Sequence, residues 1–123
     1  MPLAEDDKHI IPRGKKFTLD MLPDEQLMQM LISNFDDNSP FEGESGDKEV
    51  VKWPGVQIRN DMVVKIVWYN WNLGGSINLS FLPRKTETLK ITGNVLHGTL
   101  LARDLPRTLK MFSIGSNMFS GTI

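Results

Sequence analysis

Asn94 and Asn117 stand 23 residues apart, and the residues around them agree position by position. Alternating apolar pairs precede the two anchors and the equivalent Trp71: Ile66 and Trp68, Leu89 and Ile91, Phe112 and Ile114. After them come Leu73, Leu96 and Phe119, then Gly75, Gly98 and Gly121, then Ile77, Leu100 and Ile123. Leu82-Pro83-Arg84 returns as Leu105-Pro106-Arg107 at the same interval. The stretches 63–82, 86–105 and 108–123 therefore align without gaps. A period of this length marks stacked units, none of which can bury its apolar side alone, and about three neighbours are the minimum for a stable core.

The chemistry of the period follows from its residues. Apolar residues at alternate positions give a short strand with one buried face. The chain must then turn sharply, which Gly permits and Pro fixes. An Asn at the inner corner can donate to and accept from backbone groups of adjacent turns, so stacked copies form a ladder that satisfies buried polar groups. Trp71 occupies the first rung, where no earlier unit offers backbone to an Asn. Its ring is expected to seal that end, the competing reading being an exposed aromatic for a partner. Trp68 falls in an inward slot of its strand and reads as core.

The pattern resembles the leucine-rich repeat, L-x-x-L-x-L-x-x-N-x-L. The unit tails, Leu73-Gly74-Gly75-Ser76-Ile77 and Phe119-Ser120-Gly121-Thr122-Ile123, are most similar to the L-x-G-x-I of the plant-type subclass. That subclass usually places proline directly after the Ile, whereas here it comes later, at Pro83 and Pro106. The resemblance implies an α/β solenoid: a short right-handed coil with a parallel inner β-sheet and an N-terminal cap containing one helix. Three repeats are assigned to 63–123 and the cap to 17–62.

Within the cap, Leu22-Pro23-Asp24-Glu25 reads as a helix start, and Leu27, Met28, Met30, Leu31, Ile32 and Phe35 form an apolar stripe at helical spacing. A helix over about 23–35 that docks on the core is expected, in preference to a methionine-lined binding groove. Residues 36–49, rich in acids and turn formers, read as an exposed loop whose spacing does not match an EF-hand. Trp53-Pro54-Gly55-Val56 and Ile58 resemble the W-x-G-V strand that closes the cap of plant-type repeat proteins, so a cap strand is placed at about 51–58. Such caps normally carry paired cysteines. This chain has none, and its cap must rest on packing of Trp53, Val56 and Ile58. Residues 1–16 are polar, charged and aperiodic, and read as a flexible tail.

Composition removes several classes of function. Without cysteine there is no disulfide scaffold and no thiolate metal site, which suits a reducing compartment. No apolar run is long enough to span a membrane, and the N-terminus lacks the apolar stretch of a secretory signal, so an intracellular, cytoplasmic location is expected unless a signal has been removed. His9 and His97 are the only histidines; His9 lies in the polar tail, and His97 is placed outside the strand with no acid at useful spacing. Gly74-Gly75 lacks the Lys-Ser/Thr of a phosphate loop, and Ser113 and Ser116 lack the context of a nucleophile elbow. No catalytic residue, cofactor or metal is expected.

Binding to another protein is the expected role. The outward strand positions of the solenoid's concave face form columns: Lys65, Thr88, Met111; Val67, Lys90, Ser113; Tyr69, Thr92, Gly115; Asn70, Gly93, Ser116. The third unit, with Phe119 and Ile123, leaves an apolar edge that another protein or a second copy is expected to cover. The alternative is a structural subunit of a ribonucleoprotein or other large assembly. Residues 1–62 carry seven basic and thirteen acidic side chains, and 63–123 carry seven basic and two acidic. This asymmetry suits an anionic partner, nucleic acid included, and equally suits attraction between the halves or simple solubility.

Overall fold

The computed structural model of the chain describes residues 21–42 and 49–122. The first helix, α1, spans Asp24–Ile32. Pro23 sits just ahead of it in an extended conformation, and its carbonyl accepts the N–H groups of Gln26 and Leu27. Asp24 and Glu25 place acids in the first turn, where the helix dipole favours them. Leu27, Met28, Leu31 and Ile32 face the core. The helix stops short of the expected residue 35. Ser33 closes it by donating both its N–H and its Oγ–H to the Met30 carbonyl, and the backbone then opens so that Phe35 can pair with Gly75.

Two sheets follow. The first is four-stranded in the order β1 (Val56–Arg59), β2 (Met62–Val67), β4 (Thr88–Lys90), β6 (Met111–Ser113). The second is three-stranded in the order β3 (Gly74–Ser76), β5 (Val95–Leu101), β7 (Met118–Thr122). Each repeat contributes one strand to each sheet, and pairing between repeats is parallel throughout. The cap strand β1 is the exception, running antiparallel to β2. Asn60 and Asp61, both at positive φ, make the two-residue turn between them. The first sheet is therefore mixed, where a purely parallel one was expected. The second sheet is also a correction: its strands are built from the glycine-bearing tails that sequence alone assigns to turns.

Those glycines belong in the strands because neighbouring backbones come too close for a side chain. A Cβ on Gly98 would lie 2.3 Å from the Ile77 carbonyl oxygen, and one on Gly121 would lie 2.4 Å from that of Leu100. Gly75 meets the cap in the same way, with the Asn34 carbonyl oxygen 2.4 Å from its imagined Cβ. Asp36 donates its N–H to the Gly74 carbonyl, and Ser76 donates to that of Asn34. The segment after α1 thus continues the second sheet by one short rung, while β1 continues the first. The cap occupies the leading edge of both sheets.

Packing between cap and first repeat is aromatic. Phe41 contacts Trp68 and Trp53 at centroid distances of 4.7 and 5.1 Å, and reaches Phe35 and Trp71 at 6.0 and 6.2 Å. Tilted and edge-on rings of this kind add to the burial of a large apolar area. Trp68 is wholly buried, and its indole N–H donates to the Pro54 carbonyl at 3.0 Å. Trp71, partly buried, joins the same cluster through Phe41 and Trp68. Phe41 lies in a short 3-10 turn, Ser39–Phe41, inside the stretch read as an exposed loop. Around residue 51 the expected strand is replaced by another 3-10 turn, Val50–Lys52. Pro54 lacks an N–H and Gly55 has a φ of +78°, so the strand cannot begin before Val56.

Polar corners hold the repeats in register. Asn94 Oδ1 accepts from the N–H groups of Trp71 and Leu73, while Nδ2 donates to the Trp68 and Ile91 carbonyls. Asn117 repeats the arrangement one unit on, accepting from Leu96 and donating to Ile91, Ile114 and Gly115. At the opposite corner the Arg84 guanidinium binds the Leu82, Ser80 and Asp104 carbonyls. Thr108 donates its hydroxyl to Thr86 and Arg84 carbonyls across the repeat boundary.

Candidate functional site

The strand register decides which side chains share a surface. Lys65, Thr88 and Met111 are direct partners across β2, β4 and β6, as are Val67, Lys90 and Ser113. Between these rows lie Ile66, Leu89 and Phe112, on the core side. Beyond the strand ends the ladder continues: Asn70 donates to the Thr92 carbonyl, and Gly93 donates to that of Gly115. Tyr69, Thr92 and Gly115, then Asn70, Gly93 and Ser116, extend the columns. Asn70 and Ser116 adopt positive φ where the chain leaves the sheet.

The outward face is mostly small and polar. Thr92 and Ser113 hydroxyls hydrogen-bond to each other across the β4–β6 boundary. Tyr69 is 52% exposed and Met111 49%, which makes them the large apolar groups of this face. Tyr69, Lys90, Thr92 and Ser113 line a depression of about 270 Å³. Among the described residues no carboxylate pairs with Lys65 or Lys90. The one ion pair at the margin joins Arg59 to Glu87, at the start of β4. The face therefore offers an aromatic ring, the hydroxyls of Thr88, Thr92, Ser113 and Ser116, and two cations with no paired acid among the described residues.

The third unit differs from the first two in burial. Ile66, Leu89, Trp68 and Ile91 are completely buried, but their counterparts Phe112 and Ile114 are only partly so. Phe119, in β7, is likewise half-buried, and Met118 beside it is 60% exposed. Ile123, named with Phe119 from the sequence, lies outside the described residues, as do His9 and the polar tail.

Among the described residues, no group of three His, Asp or Glu side chains converges on a point that could hold a metal ion. His97, expected outside the strands, sits in β5 opposite Ser76 and Met118 with its side chain exposed. Asp37 has its carboxyl held below the usual range by the Ser39 N–H and then the Ser39 hydroxyl, a contact within an exposed turn. Among the described residues, no helix is long and apolar enough to cross a membrane.

Sequence comparison alone finds no relative: no family model matches, and none of the curated proteins does. Solved structures do. The BIR2 ectodomain of Arabidopsis thaliana is similar with a TM-score of 0.60 at 19% identity, over 81% of this chain and 58% of that one. The BIR3–SERK2 complex of the same plant matches with a TM-score of 0.40 at 17% identity, over 79% of this chain and 83% of that one. The chain thus spans well under two thirds of the BIR2 ectodomain's length. That likeness is to an ectodomain, and it lends no support to the cytoplasmic placement expected from the sequence. Together with the strand order, it establishes a repeat fold of the leucine-rich-repeat kind.

Proposed function

We propose that the chain is a non-catalytic protein-interaction module: a short right-handed solenoid that offers the outward, concave face of its four-stranded sheet to another protein. The observation that carries this reading is the register. It pairs Lys65 with Thr88 and Met111, and Val67 with Lys90 and Ser113, with Ile66, Leu89 and Phe112 between them on the core side; the proposed face continues beyond the strand ends through Tyr69, Asn70 and Thr92. Strand-backed side chains of this kind are presented with little freedom to lose on binding. Exposed Tyr69 and Met111 belong to the residue types enriched at protein interfaces, and Tyr is among the side chains that most often anchor them.

Binding is tested by immobilising the chain and comparing captured partners from native extract for the parent and for Tyr69→Ala and Lys90→Ala. The expected result is a partner lost in the variants while thermal unfolding stays within about 0.5 kcal/mol of the parent, as for surface changes generally. Capture that survives substitution in all four columns would move the interface elsewhere. The reading extends to the third unit, where Phe112, Ile114 and Phe119 are half-exposed and a protein surface, foreign or self, is proposed to cover them. Light scattering across a concentration series reports the self-associated form as a rising mass.

A further inference from the structure

A groove lies away from the outward face, along the rim where the chain enters the strands of the first sheet. It encloses about 740 Å³. Leu105, Pro106 and Met62 give it an apolar floor, with Met62 43% exposed. Lys85, Arg103 and Arg107 stand around it, all exposed, and among the described residues no carboxylate pairs with them. Arg84 shapes the wall between them, its guanidinium bound to backbone carbonyls of two successive repeats.

Two acids also border the groove, and they narrow what can occupy it. Asp24 accepts the Val63 N–H and is fixed in place, and Asp61 projects from the β1–β2 turn. A nucleic-acid backbone would have to pass both carboxylates, and among the described residues the lining contains no aromatic ring on which a base could stack. An apolar floor with cations along part of its rim instead matches a peptide in which carboxylates alternate with apolar side chains. We propose that this groove docks an extended acidic segment of a partner protein, its apolar side chains on Met62 and Leu105 and its carboxylates on Lys85, Arg103 and Arg107. The surface is separate from the Tyr69–Lys90 depression and does not depend on that face being used.

The test is a fluorescence-anisotropy titration of the full chain with a labelled peptide of alternating Asp and Leu. A Lys-for-Asp version of the peptide and a labelled oligothymidylate serve as comparisons. The acidic peptide is expected to bind and the basic one to fail. The double variant Arg103→Glu and Arg107→Glu should weaken binding about tenfold or more, because it reverses two rim charges. Met62→Ser should weaken it several-fold at unchanged salt dependence, since only the floor is altered. Tyr69→Ala should leave it unchanged, which separates this groove from the sheet face. Each altered side chain is exposed, so thermal unfolding of the variants serves as the folding control. Peptide binding indifferent to the charge reversal, or an oligothymidylate that binds more tightly than the peptide, would overturn the assignment.

Discussion

The backbone N–H of Trp71 donates to Oδ1 of Asn94, 23 residues further on, at 3.1 Å. Trp71 occupies the position at which the later repeats carry Asn, so the first unit has no corner amide of its own and borrows that of the second. The borrowed amide is fully used. Its oxygen takes two N–H groups and its nitrogen serves two carbonyls, all within a side chain that is 4% exposed. Because an Asn amide has this donor and acceptor capacity in a fixed plane, no isosteric apolar residue can replace it.

Asn94→Ala is therefore expected to cost about 3 kcal/mol, since it strands the buried Leu73 N–H and the Trp68 carbonyl. Asn117→Ala should cost distinctly less, because that side chain is partly exposed and water can replace some of its bonds. Urea denaturation of the two variants, compared by midpoint at equal slope, checks the ranking. Equal losses would mean that the buried corner has no special weight.

Gly98 and Gly115 make a second matched pair. A Cβ at Gly98 would strike the Ile77 carbonyl, whereas one at Gly115 has nothing within 4 Å. Gly98→Ala should force β3 and β5 apart and destabilise by about 2 kcal/mol or more. Gly115→Ala should be neutral, or stabilising by about 0.4–1 kcal/mol through a less flexible unfolded chain. Thermal unfolding of both decides whether the glycine tails serve close strand approach.

Phe41 touches all three tryptophans, so its removal is visible in their emission. Phe41→Ala is expected to cost about 3–5 kcal/mol, in the range of buried aromatic truncations. It should also shift tryptophan fluorescence to the red before global unfolding, as water reaches Trp53 and Trp71. Unchanged emission would show that the cap does not depend on this ring.

What the sequence discloses and what it hides divide along a physical line. The inward residues Ile66, Leu89 and Phe112 are legible because each repeat buries the same slot, so burial is written as a period. The rows Lys65–Thr88–Met111 and Val67–Lys90–Ser113 follow from the same alternation, and the register pairs them. The second sheet is not legible, because Gly74-Gly75-Ser76 has poor strand propensity and pairs only once the repeats are stacked. His97 was misplaced for that reason. Phe41 is hidden differently: it is a lone aromatic among turn formers, and its burial comes from rings far along the chain. The groove at Arg103 and Arg107 gathers residues from three separate turns and from the start of α1, a proximity that no local spacing encodes.

Asp24 joins the helix to the first repeat, and here two effects of one carboxylate can be told apart. Its Oδ2 accepts the Val63 N–H at 2.8 Å, and its charge also sits in the first turn of α1. Losing the hydrogen bond leaves a part-buried N–H unmet, at a cost of about 1–3 kcal/mol. Losing only the charge at the helix start costs about 0.3–1 kcal/mol. Asp24→Ala removes both, whereas Asp24→Asn keeps an acceptor oxygen and removes the charge alone. Denaturant titrations should thus find Asp24→Ala the more destabilising, with Asp24→Asn recovering most of the difference. If the two variants lost equal stability, the carboxylate would be acting through the helix dipole, and the docking of α1 would rest on Leu27, Met28, Leu31 and Ile32 without this bond.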